Sequence, residues 1–109
     1  ERRWVPAVDI FEDEDKHVVE VELAGMKAED VDIEVDDGVL TLKGERKSTR
    51  EAEDEGYKVS ERIFGSFTRS FRLPETVDVE NISADLQDGV LRLELPKREA
   101  KKPMKIKLK

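Results

Sequence analysis

The chain has 109 residues, which is enough for one domain with its own hydrophobic core and without a disulfide or a structural metal. It contains no cysteine, which excludes disulfide scaffolds, thiolate metal sites and thiol nucleophiles and fits a reducing compartment. The net charge of -7 argues against a nucleic-acid-binding domain, because such domains are usually basic. No apolar run approaches the roughly 18 residues of a membrane span, so we expect a folded protein without one.

Four stretches of the chain alternate apolar and polar residues, as half-buried β-strands do. In each stretch the side chains on one side are apolar, apart from His17, and most of those on the other side are charged or polar. The stretches cover residues 17–23, 30–36, 40–43 and 91–95. No segment carries the sustained apolar stripe of an amphipathic helix, so the sequence predicts an all-β fold.

Two Asp-Gly pairs, Asp37-Gly38 and Asp88-Gly89, stand between alternating stretches. Such a pair favours a two-residue hairpin turn of type I′, in which both residues need a positive φ. The surrounding segments 31–42 and 82–93 also align with each other, apolar residue against apolar residue and turn against turn. We therefore predict the same hairpin twice, once in each sheet of a two-layer sandwich.

A long charged connection occupies residues 46–56, and Tyr57, Lys58 and Val59 after it could form a short strand. The connection offers too few apolar side chains to hold such a strand by their own burial. We therefore expect this short strand to lie on some other surface.

The next segment, 61–73, is predicted as a strand in which Arg69 shares a side with Phe67 and Phe71. Two interpretations of Arg69 stay open. A buried guanidinium would need a carboxylate partner, whereas an arginine at the end of the strand would reach water with its long side chain.

The sequence offers few residues for catalysis or for a cofactor. His17 is the only histidine, which excludes paired-histidine metal sites, and its place in an alternating stretch is typical of a strand residue. The carboxylates of 30–36 alternate with apolar residues and lack the glycine and the final glutamate of a calcium loop. We predict a binding protein with no metal and no cofactor, and not an enzyme. A hydrolase whose two carboxylates meet only in space is the less favoured alternative.

The charge is divided between a body and a tail. Residues 1–96 carry a net charge of -13, and residues 97–109 carry +6. In the tail, Ile106 and Leu108 alternate with lysines, so an extended conformation would point both side chains the same way, about 7 Å apart. So short a segment cannot bury them itself, and we predict that they dock in a groove or at a sheet edge. A solvated tail and a basic patch for nucleic acid are the alternatives.

These features together resemble the α-crystallin domain of small heat-shock proteins, of the bacterial, archaeal and plant type. The resemblance extends from Trp4 to Lys109 and depends on the order and spacing of several short motifs. These are Trp4-Val-Pro-Ala-Val-Asp-Ile10, Leu23-Ala-Gly-Met26, Val39-Leu-Thr-Leu-Lys-Gly-Glu-Arg46, Glu61-Arg-Ile-Phe-Gly-Ser-Phe-Thr-Arg-Ser-Phe-Arg-Leu-Pro74, Ala84-Asp-Leu-Gln-Asp-Gly-Val-Leu91 and Ile106-Lys-Leu108.

The resemblance implies an immunoglobulin-like antiparallel β-sandwich in residues 7–96. The end of a truncated N-terminal arm would precede it in residues 1–6, and a C-terminal extension with an Ile-x-Leu motif would follow in 97–109. The implied function is that of an ATP-independent cytoplasmic chaperone, which binds unfolding client proteins and prevents their aggregation. Its other partner would be itself, in dimers that build higher oligomers with the full N-terminal arm, with no nucleic acid and no membrane span. A p23-like co-chaperone adaptor is the alternative function.

The resemblance also implies the roles of particular residues. Ile106 and Leu108 would dock on a neighbouring subunit, in a groove between two edge strands. The candidates for the groove are Val31, Ile33, Ala84 and Leu86. The short strand at Tyr57, Lys58 and Val59 would be exchanged with a partner to form the dimer, and Arg69 would lie in that interface, where its carboxylate could come from the partner.

Overall fold

We describe the fold from a computed structural model, in which residues 4–48, 56, 58–98 and 106–109 are described. Within these residues, seven strands form two antiparallel sheets: β1 (Val8–Glu12), β2 (Lys16–Glu22), β3 (Val31–Asp36), β4 (Val39–Arg46), β5 (Gly65–Arg72), β6 (Ser83–Gln87) and β7 (Val90–Pro96). One sheet has the order β1-β2-β7-β6 and the other the order β3-β4-β5. The only helical elements in this part of the chain are two 3-10 turns, Ala28–Asp30 and Val79–Asn81. The predicted all-β class is confirmed.

The two predicted hairpins are present, one in each sheet. Asp37 and Gly38 have φ angles of 49° and 74°, and Asp88 and Gly89 have 54° and 79°. Positive φ at both central positions is the geometry that a type I′ turn requires, and it is why each pair ends in glycine. The first turn joins β3 to β4 and the second joins β6 to β7.

The inward faces of the two sheets form one hydrophobic core. Strands β2 and β7 contribute five buried side chains from one sheet, and β4 and β5 contribute three from the other, namely Val19, Val21, Leu91, Leu93, Leu95, Leu40, Leu42 and Phe67. Val18 departs from the alternation, because it points outward and is nevertheless only 1% exposed. Its cross-strand neighbour on that outward face is Phe11 of β1.

Strands β1 and β5 differ from the sequence prediction. The pattern gave no signal for β1, which is only five residues long and places Ile10 and Phe11 side by side instead of alternating. In the segment predicted as 61–73 the strand begins later, at Gly65. Residues 61–64 precede it without regular structure.

The residues just before β1 attach the four-stranded sheet to β5. The indole Nε1 of Trp4 donates a hydrogen bond of 2.9 Å to the carbonyl of Gly65, and its backbone N–H donates one of 3.1 Å to Ser66. The indole also packs edge to face against the Phe67 ring, with 5.4 Å between the ring centres. The free edges of β1 and β5 therefore lie on one side of the sandwich, and those of β6 and β3 lie on the other.

Within the described residues no helix is long and apolar enough to cross a membrane.

Candidate functional site

An apolar strip on β3 faces the core but stays partly open to solvent. Ile33 pairs with Leu42 of β4, which is fully buried, so both side chains point inward. Ile33 is nevertheless 36% exposed and Val35 is 38% exposed, while Val31 at the start of the strand is half-buried. A side chain that faces the other sheet and remains one-third exposed has no close cover from that sheet. The inner side of the β3 edge thus presents apolar side chains that are partly open to solvent, and we call the space between this edge and the edge of β6 the channel.

Strand β6 presents the matching edge of the other sheet. Ala84 pairs with Leu93 and Leu86 pairs with Leu91, and both partners are buried in the core, so Ala84 and Leu86 also point inward. Ala84 is exposed, and Leu86 is half-buried against the core. All four predicted groove residues therefore lie on the inner faces of the two edge strands. Val35 was not among the predicted groove residues, although it stands two residues after Ile33 and must therefore share its face of the strand.

The outward side of β3 is acidic. Asp32, Glu34 and Asp36 alternate with the apolar strip and are exposed; we call these three carboxylates the acidic rim. Lys43 of β4 is the register partner of Asp32. Among the described residues, however, no basic side chain lies within ion-pair distance of the acidic rim. The edge of β3 therefore offers apolar side chains on one side and uncompensated negative charge on the other.

The tail is tied to the sandwich at its first two residues. The Lys97 ammonium lies 2.8 Å from the Glu12 carboxylate and donates a second hydrogen bond of 2.7 Å to the Asp13 carbonyl. The hydrogen bond and the charge of Lys97 lower the pKa of Glu12. The Arg98 N–H donates to the Thr76 carbonyl at 2.6 Å. The body therefore holds the chain as far as Arg98.

Beyond that anchor, the predicted docking residues are free of the core. Ile106 is 88% exposed and Leu108 is 98% exposed, and neither belongs to a strand. The lysines Lys107 and Lys109 beside them are exposed as well. Two apolar side chains are thus presented to solvent on a basic segment.

The opposite side of the sandwich, where β1 and β5 have their free edges, holds Arg69. Its side chain lies on the inner face of β5 between Phe67 and Phe71, as the sequence predicted, and the residue is half-buried. The guanidinium lies 5.2 Å from the Phe71 ring centre and donates a 3.5 Å hydrogen bond to the Pro6 carbonyl. No carboxylate of the described residues pairs with it. On the free edge strand β1, Ile10 is 54% exposed, although its register partner Val19 is buried in the core.

The residues predicted for strand exchange are placed only in part. Tyr57 lies outside the described residues. Lys58 and Val59 are exposed and belong to no strand, so the expected short strand is absent at these two positions of the single chain. The segment is anchored further on, because Arg46 donates two hydrogen bonds, of 3.0 and 2.6 Å, to the Ile63 carbonyl.

Arg46 is a structural residue that sequence reasoning missed. Besides Ile63 it reaches the Ala24 carbonyl at 3.0 Å, and its guanidinium lies 4.1 Å from the centre of the Trp4 ring. Burial, together with the nearby positive charge of Arg62, lowers its pKa. The three segments that it joins are far apart in the chain, so no local pattern could have shown this role.

His17, the only histidine, lies on β2 with its Nε2 buried and unpaired in the structure. Its Nδ1 is 4.0 Å from a carboxylate oxygen of Glu12. Within the described residues no three histidine, aspartate or glutamate side chains come together in a way that could hold a metal ion.

Comparison with known proteins gives one consistent result. The chain matches the Hsp20/alpha crystallin family over residues 9–109. Small heat shock protein C4 of Rickettsia felis is 40% identical over 103 residues, which are 94% of this chain and 63% of that protein. The 16.9 kDa class I heat shock protein 1 of Triticum aestivum is 45% identical over 97 residues, which are 88% of this chain and 64% of that protein.

The similarity extends to three dimensions. A small heat-shock protein from Xylella fastidiosa superposes with a TM-score of 0.85 at 39% identity, covering 97% of each chain. This chain spans somewhat less than two thirds of the length of the two relatives above. The family match nevertheless includes both sheets and the tail, and from this we conclude that the chain belongs to the Hsp20/alpha crystallin family.

Proposed function

We propose that this chain is the core of a chaperone that binds unfolding proteins, prevents their aggregation without ATP, and acts in the cytoplasm. In this proposal dimers assemble further when Ile106 and Leu108 of one copy enter the channel between β3 and β6 of another. The observation that carries the proposal is the pairing of an open apolar channel with two exposed apolar side chains on an anchored tail.

The energies favour an assembly that can dissociate. Full burial of one isoleucine or leucine side chain contributes roughly 1.5–3 kcal/mol, and ordering the tail costs part of this gain. One docked tail is therefore a weak link. Several tails in one assembly strengthen each other through effective concentration, so the assembly can loosen when single contacts fail and expose surface to a client.

Dimer formation is proposed for the opposite side of the sandwich. A guanidinium has five N–H donors, and the described residues use one of them at Arg69, through the Pro6 carbonyl. A partner's carboxylate would satisfy others. The exposed side chains of Val59 and Ile10 would be covered when the segment around Tyr57, Lys58 and Val59 joins the partner's sheet.

The tail separates this proposal from the adaptor alternative. A p23-like co-chaperone has no use for two apolar side chains on a basic tether, whereas an assembling chaperone does. We also propose that the protein is not an enzyme, in keeping with its family.

The test is the heat-induced aggregation of a model client, followed by light scattering with and without ATP. We expect an equimolar amount of this protein to lower the scattering, equally in both conditions. Bovine serum albumin at the same concentration is the control for non-specific effects. Scattering that stays as high as with albumin would contradict the chaperone proposal and favour the adaptor.

A further inference from the structure

The two sides of the channel differ in charge. We infer that the tail of a second copy docks along β3 and not along β6, with its lysines over the acidic rim. This inference rests on the proposed docking of Ile106 and Leu108 and adds to it a specific edge and a dependence on salt.

The two segments have the same spacing of charge. The carboxylates of the acidic rim stand at every second residue of β3, and Lys105, Lys107 and Lys109 stand at every second residue of the tail. In extended chains this spacing is about 6.6–6.8 Å for both. When the two apolar side chains of the tail point into the channel, the lysines point outward, to the same side as the acidic rim. Three positive charges then face three negative ones.

Strand β6 lacks this complement. Its outward side chains are Ser83, Asp85 and Gln87, and the register partner of Asp85 is Arg92, so its single carboxylate already faces a cation. Asp32 of the acidic rim likewise faces Lys43, but the other two carboxylates of the rim have no basic register partner. On β3 the side chains of Ile33 and Val35 are more than one-third exposed, whereas on β6 Leu86 is half-buried and only the small side chain of Ala84 is exposed. Charge and exposed apolar area thus favour the same edge.

The acidic rim also discriminates between occupants. A free strand edge can pair with the same edge of another copy, and charged side chains are a common defence against this. Two β3 edges side by side would bring two acidic rims together, which is unfavourable. A lysine-rich tail meets the opposite charge, so the rim repels a second β3 and accepts the tail.

The test uses the full chain carrying Ile106→Ala/Leu108→Ala, so that its own tail does not compete. The probe is a fluorescent, C-terminally amidated peptide of residues 103–109, and the dissociation constant is measured by anisotropy at low and high salt. We expect the peptide with Lys105→Gln, Lys107→Gln and Lys109→Gln to bind about tenfold more weakly at low salt, because cross-strand charge pairs each add modestly. High salt should remove this difference.

Charge reversal on the protein identifies the edge. Glu34→Lys should weaken binding of the unmodified peptide, and Asp85→Lys on β6 is the matched control that should leave it unchanged. An equal loss in both variants would overturn the assignment to β3.

If binding needs Ile106 and Leu108 of the peptide but does not depend on its lysines or on salt, the charge inference is wrong and the docking proposal stands. If the unmodified peptide does not bind at all, both are wrong. The peptide variants give their answer even if a protein variant fails to fold.

Discussion

Gly44 offers a sensitive test of how β3 is held against the core. It lies on β4, opposite Val31 of β3 and Phe67 of β5. A Cβ atom at this position would come within 2.7 Å of the Asp30 carbonyl oxygen and within 2.7 Å of a Phe67 ring carbon. Both neighbours are fixed, since one is backbone and the other belongs to a side chain that is only 3% exposed. Gly44→Ala should therefore displace β3, the strand that borders the channel.

Two opposing effects decide the magnitude. An alanine in a strand is favoured over glycine by roughly 0.5–1 kcal/mol, because it loses less backbone entropy on folding. Overpacking of a well-filled core costs typically about 1–3 kcal/mol. With contacts as short as 2.7 Å to two rigid groups, the steric cost should prevail. We expect a net loss of about 1–2 kcal/mol in the free energy of unfolding, or a fall of roughly 4–15 °C in Tm.

The assay is differential scanning calorimetry at one protein concentration, because association shifts Tm by mass action. Lys43→Ala is the control, since Lys43 is exposed on the outward face of the same strand, and its effect should stay within about 0.5 kcal/mol. A rise in Tm for Gly44→Ala would show that the entropy gain prevails and that the site tolerates a methyl group. That result would refute the reasoning about this contact.

Two further predictions concern the anchors of the fold. Arg46→Ala removes three hydrogen bonds to backbone carbonyls and the contact with Trp4, so we expect the free energy of unfolding in urea to fall by about 2 kcal/mol. Lys97→Met should destabilise the protein at neutral pH and less so in acid. Because Lys97 holds the pKa of Glu12 below its usual 4.5, this stabilisation is present above pH 4.5 and is lost as the pH falls through the lower, folded-state pKa.

Each of these predictions has its own control. For Arg46→Ala it is Lys47→Ala, because Lys47 is adjacent and exposed, and equal effects of the two would contradict the role given to Arg46. For Lys97→Met, urea unfolding of both proteins at pH 7 and near pH 3 gives the comparison. The difference between them should shrink in acid without vanishing, since the hydrogen bond from Lys97 to the Asp13 carbonyl does not titrate. A difference that does not change with pH would mean that Glu12 is not its source.

The parts of the fold that could be predicted are those encoded locally. An Asp-Gly pair needs no distant partner to adopt positive φ at both positions, so the two hairpins and their sheets followed from the sequence. Arg69 was placed on the correct face of β5 by parity alone. The acceptor that it uses, the Pro6 carbonyl, comes from a segment 63 residues away and could not be inferred.

The features that were missed depend on contacts between distant segments. β1 lacks a regular alternation of apolar and polar residues, so its pairing with β2 could be seen only in the structure. Val18 was expected on a wet face and is buried there. The channel itself required the structure, because parity places Ile33 and Val35 toward the core but does not show that the opposing sheet leaves them uncovered.

Mass in solution tests most directly whether the tail joins one copy to another. Sedimentation velocity of the chain and of its Ile106→Ala/Leu108→Ala variant, over a range of concentrations, is the measurement. We predict species larger than the dimer for the chain, growing with concentration, and a mass of no more than two chains for the variant. The same mass distribution for both proteins would contradict assembly through the tail.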